Sequence, residues 1–175
     1  MRELVVGVGE GAVSSDRETM LVTYALGSCV AVMVHDPVSC VAGMLHYILP
    51  ESPASAAGPA DQPCRFADTG IEYLLRMARK LGADQRHLLI FAAGGVQVVN
   101  DNAVFDIGRR NCLALHKQLW RFGLVPHAEE TGGALVRTVR MEVGSGRVWL
   151  QSPGGGSREL RPCLEKTALS AEALR

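Results

Sequence analysis

Two apolar runs, the valine-rich "CVAVMVH" from Cys29 to His35 and "VAGMLHYIL" from Val41 to Leu49, flank the short turn "DPVS" at residues 36–39. No other feature narrows the choice of folds so far. Runs of this length, rich in β-branched residues, read as strands buried on both faces. Pro37 suits the second position of a type I turn, and Pro50 ends the returning strand. The chain therefore folds back on itself here as a buried antiparallel hairpin.

The elements on either side fit around that hairpin. Residues 3–9 ("ELVVGVG") read as a first strand, 10–18 ("EGAVSSDRE") as a loop, and 21–25 as a short strand. The Ala-, Pro- and Ser-rich residues 51–63 read as a long flexible loop. A helix follows, capped by Asp68 or Thr69, with Ile71, Leu74, Leu75, Ala78 and Leu81 as its apolar stripe and Gly82 at its stop. Residues 87–93 form a buried strand closed by Gly94 and Gly95. A second helix spans 108–122 and turns Cys112, Leu115 and Leu119 inward. Residues 135–143 alternate with period two and return through "GSG" into 147–151 as a hairpin. Residues 152–175 read as a flexible tail, with a short helix at 164–174, beyond a single domain spanning 1–151. Hairpins outnumber crossover units, which points to an α+β fold: a layered α/β sandwich of mixed, mainly antiparallel sheets with two main helices.

Charge and cysteine content remove several function classes. Lys plus Arg equals Asp plus Glu at 18 each, so the chain lacks the basic excess of a nucleic-acid binder. The five cysteines are odd in number and contain no C-x-x-C pair, which fits neither a disulfide framework nor a zinc finger. Cys112 and His116 share a helix face but make only two ligands, so no metal or other cofactor is expected. The N-terminal apolar run is too short for a signal peptide, and no stretch approaches the ~18 apolar residues of a membrane span. A cytoplasmic protein without membrane insertion is the expectation.

The hairpin carries a thiol and an imidazole. If His35 and Cys40 flank the turn as an opposed pair, their numbers sum to 75, and so do those of Cys29 and His46. That register sets Cys29 directly across from His46 on one face, with Cβ atoms ~4.5–5.5 Å apart. A protonated imidazole beside a thiol favours the thiolate, which attacks a carbonyl before the imidazolium protonates the leaving group. Gly27 and Ser28 allow a tight path in which backbone amides near Cys29 can face a developing oxyanion. Thr23 is the nearest candidate to orient the ring. Its neutral hydroxyl suggests a modest enzyme and not a fast protease.

Simpler readings stand beside this one. A cysteine in an apolar strand is often only a packing residue, and His46 next to Tyr47 could be a core histidine bonded to backbone. Arg137 and Arg140 occupy opposite faces of their strand, so at most one faces the site. Arg110 and Asn111 read as braces of the helix start, and Glu129-Glu130 as a solvated loop. A binding module that only docks on its partner is the rival to an enzyme.

The segments "TYALGSCVAVMVHD" (23–36) and "GMLHYILP" (43–50) resemble the CheD chemoreceptor glutamine deamidases of bacterial and archaeal chemotaxis. The resemblance continues through "RFADTGI" (65–71), "FAAGG" (91–95), "IGRRN" (107–111) and "TGGALVRTVRMEVGSGRV" (131–148). It implies Cys29, His46 and Thr23 as catalytic residues, with glutamine side chains in chemoreceptor cytoplasmic helices as substrate. It also implies an α/β sandwich like that of deamidating toxins, and a CheC-type phosphatase as a further partner. Leu45 and Val136 depart from the family pattern, and the first is expected to alter substrate fit.

Overall fold

The computed structural model describes residues 1–53, 62–97 and 106–162. Ten strands form two five-stranded sheets. The first has the order β1 (Arg2–Val5), β3 (Thr19–Leu26), β8 (Arg137–Glu142), β9 (Val148–Gln151) and β10 (Ser157–Leu160). The second has the order β2 (Gly11–Ser14), β5 (Val41–Tyr47), β4 (Val30–Asp36), β6 (Leu89–Gly94) and β7 (Ala128–Thr131). Pairing is parallel between β1 and β3 and between β6 and β7, and antiparallel elsewhere. Two helices complete the layered α+β sandwich: α1 (Ala67–Lys80) and α2 (Ile107–Arg121).

The central hairpin is buried throughout, as its composition demands: every residue of β4 and β5 is inaccessible. Its alternation divides the interior in two. Val30, Val32, Val34, Leu45 and Tyr47 pack on Ile71, Leu74, Leu115 and Leu119 of the helices. Ala31, Met33, Ala42 and Met44 face the other sheet, meeting Leu21, Val139, Met141 and Val148. The second sheet is thus the middle layer.

Several elements differ from the sequence reading. The 10–18 loop contains β2, whose four half-buried residues pair with β5 and are too few for alternation to register. Glu129 and Glu130 lie in β7, where the buried Arg137 side chain pairs with Glu130 at 2.9 Å. Strand pairing continues past residue 151, because Ser157–Leu160 add β10 to the edge of the first sheet. The helix expected at 164–174 and most of the 51–63 loop lie outside the described residues. Helix α1 starts at Ala67, with Phe66 as its cap and no side-chain capping bond. Asp68 instead accepts hydrogen bonds from the Ser52 amide and hydroxyl, tying the helix to the segment after β5.

The hairpin register also differs. Asp36 pairs with Val41, leaving Pro37–Cys40 as a four-residue loop in which Cys40 takes a left-handed backbone with φ 54°. His46 consequently lies across from Ala31, not from Cys29. The shift is two residues, so the face is preserved and Cys29 becomes a diagonal neighbour of His46.

Candidate active site

Three residues, Gly27, Ser28 and Cys29, carry the chain from the end of β3 in one sheet to the start of β4 in the other. The candidate nucleophile sits at this corner. Just before it, the ladder between β3 and β8 slips between Thr23 and Leu26, and Ala25 is left-handed with φ 53°. A bulge of this kind bends a strand and re-aims its side chains.

All three corner carbonyls are hydrogen-bonded. The Val96 amide donates to the Gly27 oxygen at 2.8 Å and the Gly95 amide to that of Cys29 at 2.7 Å. The Asn111 side-chain amide donates to the Ser28 oxygen at 2.9 Å. In a trans peptide the N–H points opposite to the carbonyl of the same unit. The Ser28 amide is thereby turned away from Val96, and the Cys29 amide away from Asn111. A Cβ built on Gly27 would meet nothing within 4 Å, so that side of the corner is unobstructed. The "GG" element comes close on the anchored side. A Cβ at Gly94, where φ is +112°, would collide with the Cys29 carbonyl oxygen.

His46 projects from β5 into the space between the sheets and is 1% exposed. Its Nδ1 lies 2.8 Å from the Oγ1 of Thr23, which β3 supplies from the opposite sheet. The Thr23 hydroxyl donates its single proton to the Val6 carbonyl at 2.8 Å. Its oxygen can therefore only accept from the ring, which fixes the proton on Nδ1 and leaves a lone pair on Nε2. That Nε2 is buried and has no hydrogen-bond partner among the described residues. It makes no hydrogen bond to the Cys29 thiol.

Burial governs the protonation of both groups. Desolvation pushes the His46 imidazole down to about 4 and the Cys29 thiol upward, the latter partly offset by its own backbone amide. The resting pair is neutral thiol with neutral imidazole. The thiolate–imidazolium pair expected from the sequence is disfavoured, because burial penalises the charged form of each group.

The family model for "CheD chemotactic sensory transduction" matches residues 48–152. The chain is 46% identical to the "Probable chemoreceptor glutamine deamidase CheD" of Solibacter usitatus, covering 93% of this chain and 95% of that protein. It is 38% identical to the "Chemoreceptor glutamine deamidase CheD" of Thermotoga maritima, covering 88% of this chain and 94% of that protein. The chain belongs to the CheD family.

In this CheD family member, Thr23, His46 and the Gly27–Cys29 corner converge at one end of the inter-sheet space. Other residues singled out from the sequence lie elsewhere. His116 pairs with Glu129 at 2.8 Å on the surface, away from any cluster with Cys112, whose sulfur packs against Gly95. Leu45 is fully buried on the helix side of β5 against Gly70, so it does not line the site as its departure from the family pattern suggested. Arg137, not Arg140, is the buried arginine of β8. The role of the Val6 carbonyl has no sequence signal, since every residue carries that group. Asn111 reaches past the helix start it was expected to brace, onto the corner itself.

Proposed function

We propose that this protein deamidates glutamine side chains in the cytoplasmic helices of chemoreceptors, using Cys29 as nucleophile and His46 as its base. The observation that carries the reading is the 2.8 Å contact of His46 Nδ1 with Thr23, which leaves the Nε2 lone pair on the face shared with Cys29. Family membership supplies the substrate class, since relatives bear the name chemoreceptor glutamine deamidase.

The chemistry follows from the neutral resting pair. As the Cys29 sulfur bonds to the glutamine Cδ, its proton passes to His46 Nε2 and the amide oxygen becomes an oxyanion. The amides of Ser28 and Cys29 are the available donors to that oxygen. Collapse of the tetrahedral species breaks the C–N bond, and the imidazolium returns its proton to the departing nitrogen as ammonia. Water then attacks the thioester while Nε2 takes its proton, and the thiol leaves to give glutamate. Thr23 keeps the ring in one tautomer through both halves. Each turnover converts a neutral side chain to a negative one, altering electrostatics between receptor helices. Action on cytoplasmic helices places the protein in the cytoplasm. The sequence resemblance extends the proposal to a CheC-type phosphatase as a second partner.

The test is incubation with receptor cytoplasmic fragments and peptide mapping of amide-to-acid conversion. Wild type is expected to convert discrete glutamines, whereas Cys29→Ala converts none. Receptor binding by wild type with no mass change would replace the enzyme with a docking module.

A further inference from the structure

The proposed reaction needs Cys29 and His46 to meet, yet they belong to different stretches of backbone and share no hydrogen bond. We infer that Asn111 is the positioning residue that holds those two stretches together. This inference rests on the functional reading above for its catalytic meaning, but not for its geometry.

Asn111 lies in the second turn of α2 and is fully buried. One side-chain nitrogen donates to two carbonyls at once: Ser28 at 2.9 Å and Ile48 at 2.8 Å. Ser28 immediately precedes the nucleophile, and Ile48 follows His46 by two residues. An amide NH2 has two N–H bonds, and both are spent here on the two backbone segments that carry the reactive pair. A third tie reinforces the bridge, because the buried Tyr47 hydroxyl donates to the Asn111 carbonyl at 2.7 Å. Thus Tyr47 at the end of β5 and Ile48 just after it are both tied to Asn111, while Asn111 also holds the corner.

The helix is also pressed close enough for this reach. A Cβ on Gly108 would collide with the Val96 carbonyl, so the first turn of α2 lies directly against the 95–96 segment whose amides anchor Gly27 and Cys29. Packing alone would hold α2 to the sheet through Leu115 and Leu119. What Asn111 adds is a polar link between the corner and the strand of the base. Among the described residues its Oδ1 is buried without a partner, so the amide carries the cost of an unpaired acceptor. An apolar residue would avoid that cost but would leave two carbonyls unpaired.

Aspartate is nearly the same shape and, ionised, has no donor. Asn111→Asp should lower kcat for receptor deamidation by roughly 10²-fold, the scale of an ångström-sized misplacement, with KM changed little. Leu115→Ala is the control: it weakens the same helix's packing without touching the corner. After correction for the folded fraction, measured by circular dichroism, its kcat should equal that of wild type. A readout independent of receptor is the pH profile of Cys29 alkylation by iodoacetamide, followed on the Cys29 peptide by mass spectrometry. That profile should change in Asn111→Asp and match wild type in Leu115→Ala. If Asn111→Asp fails to fold, Tyr47→Phe, which frees the Asn111 carbonyl, should shift the same profile in the same sense. An unchanged profile and kcat in the folded Asn111 variant, or an unchanged profile in Tyr47→Phe where that variant must stand in, overturns the assignment. Equal changes in Leu115→Ala would also overturn it, by reducing Asn111 to ordinary packing. Should wild type leave receptor glutamines intact while the Asn111 profile still shifts, the positioning role survives and the proposed function fails.

Discussion

Thr23 and His46 stand on different sheets and are joined by a 2.8 Å hydrogen bond across the interior of the sandwich. Because Thr23 spends its proton on the Val6 carbonyl, the bond has only one possible direction, and the imidazole has only one tautomer that satisfies it. A neutral hydroxyl thus does the orienting work that a carboxylate does in a charged triad, without stabilising the imidazolium to the same degree.

Replacing that hydroxyl should separate orientation from binding. Thr23→Val leaves the ring N–H and the Val6 carbonyl without partners, costing about 1–3 kcal/mol for each buried group. The expected kinetic result is a fall in kcat of roughly 10²-fold with KM nearly unchanged, since His46, the proposed base, loses its fixed lone pair. Thr23→Ser should recover most of the rate. Steady-state kinetics on a receptor fragment would read both, and a Thr23→Val enzyme as fast as wild type would contradict the role.

The depressed imidazole makes a stability prediction. Folded His46 protonates at about 4, whereas its ordinary value is 6.5. Between those values the unfolded chain binds a proton that the folded chain refuses, so stability is complete above the higher value and drains as pH falls toward the lower. The loss attributable to His46 is about 3 kcal/mol. Buried His35, also shifted downward by burial, acts in the same direction. Urea denaturation across this window should show the slope, and His46→Asn should flatten it.

Neutral resting chemistry predicts how the thiol reacts in isolation. Alkylation of Cys29 should keep accelerating as pH rises past the ordinary cysteine value of 9.0, because burial raises this thiol. A thiolate held by an imidazolium would instead give a plateau near neutral pH. Stopped alkylation with peptide mass analysis decides between the two shapes.

Gly94 predicts a steric failure at the corner. In Gly94→Ala the new methyl meets the Cys29 carbonyl, on a backbone with φ +112° that L-residues avoid. Overpacking and strain together should destabilise the fold by about 1–3 kcal/mol. Deamidation by the remaining folded protein should fall as well, because the displaced atom belongs to Cys29, the proposed nucleophile. Thermal unfolding and activity measured on one preparation test both parts.

The Arg137–Glu130 pair predicts a purely structural effect. Arg137 is 7% exposed at its side chain and also donates to the Gly132 carbonyl at 2.9 Å. Glu130→Ala strands that charge and should cost about 2 kcal/mol, between the values of exposed and buried pairs. Chemical denaturation measures it directly.

How much of this was readable in advance differs from residue to residue. The hairpin was legible because apolar composition and length report burial on both faces. The helices were legible from Ile71, Leu74 and Ala78, and from Leu115 and Leu119, which recur at the helical period. Strand β2 was not, because "GAVS" is four half-buried residues with no contrast between faces. Strand β7 was not, because Glu130 is charged and its partner Arg137, seven residues on, lies in a strand of the other sheet, so the pairing is invisible until the sheets pack.

The sequence by itself determined that a thiol and an imidazole lie on one face of a buried fold-back, since strand periodicity is a local property of the backbone. The register was decided by the left-handed turn at Cys40, which moved the pair from opposite to diagonal without changing its face. Only the tertiary structure decided the tautomer and charge of the site. Those depend on Thr23 and Val6 arriving from other stretches of chain, and on the exclusion of water between two sheets that no single stretch of chain encodes.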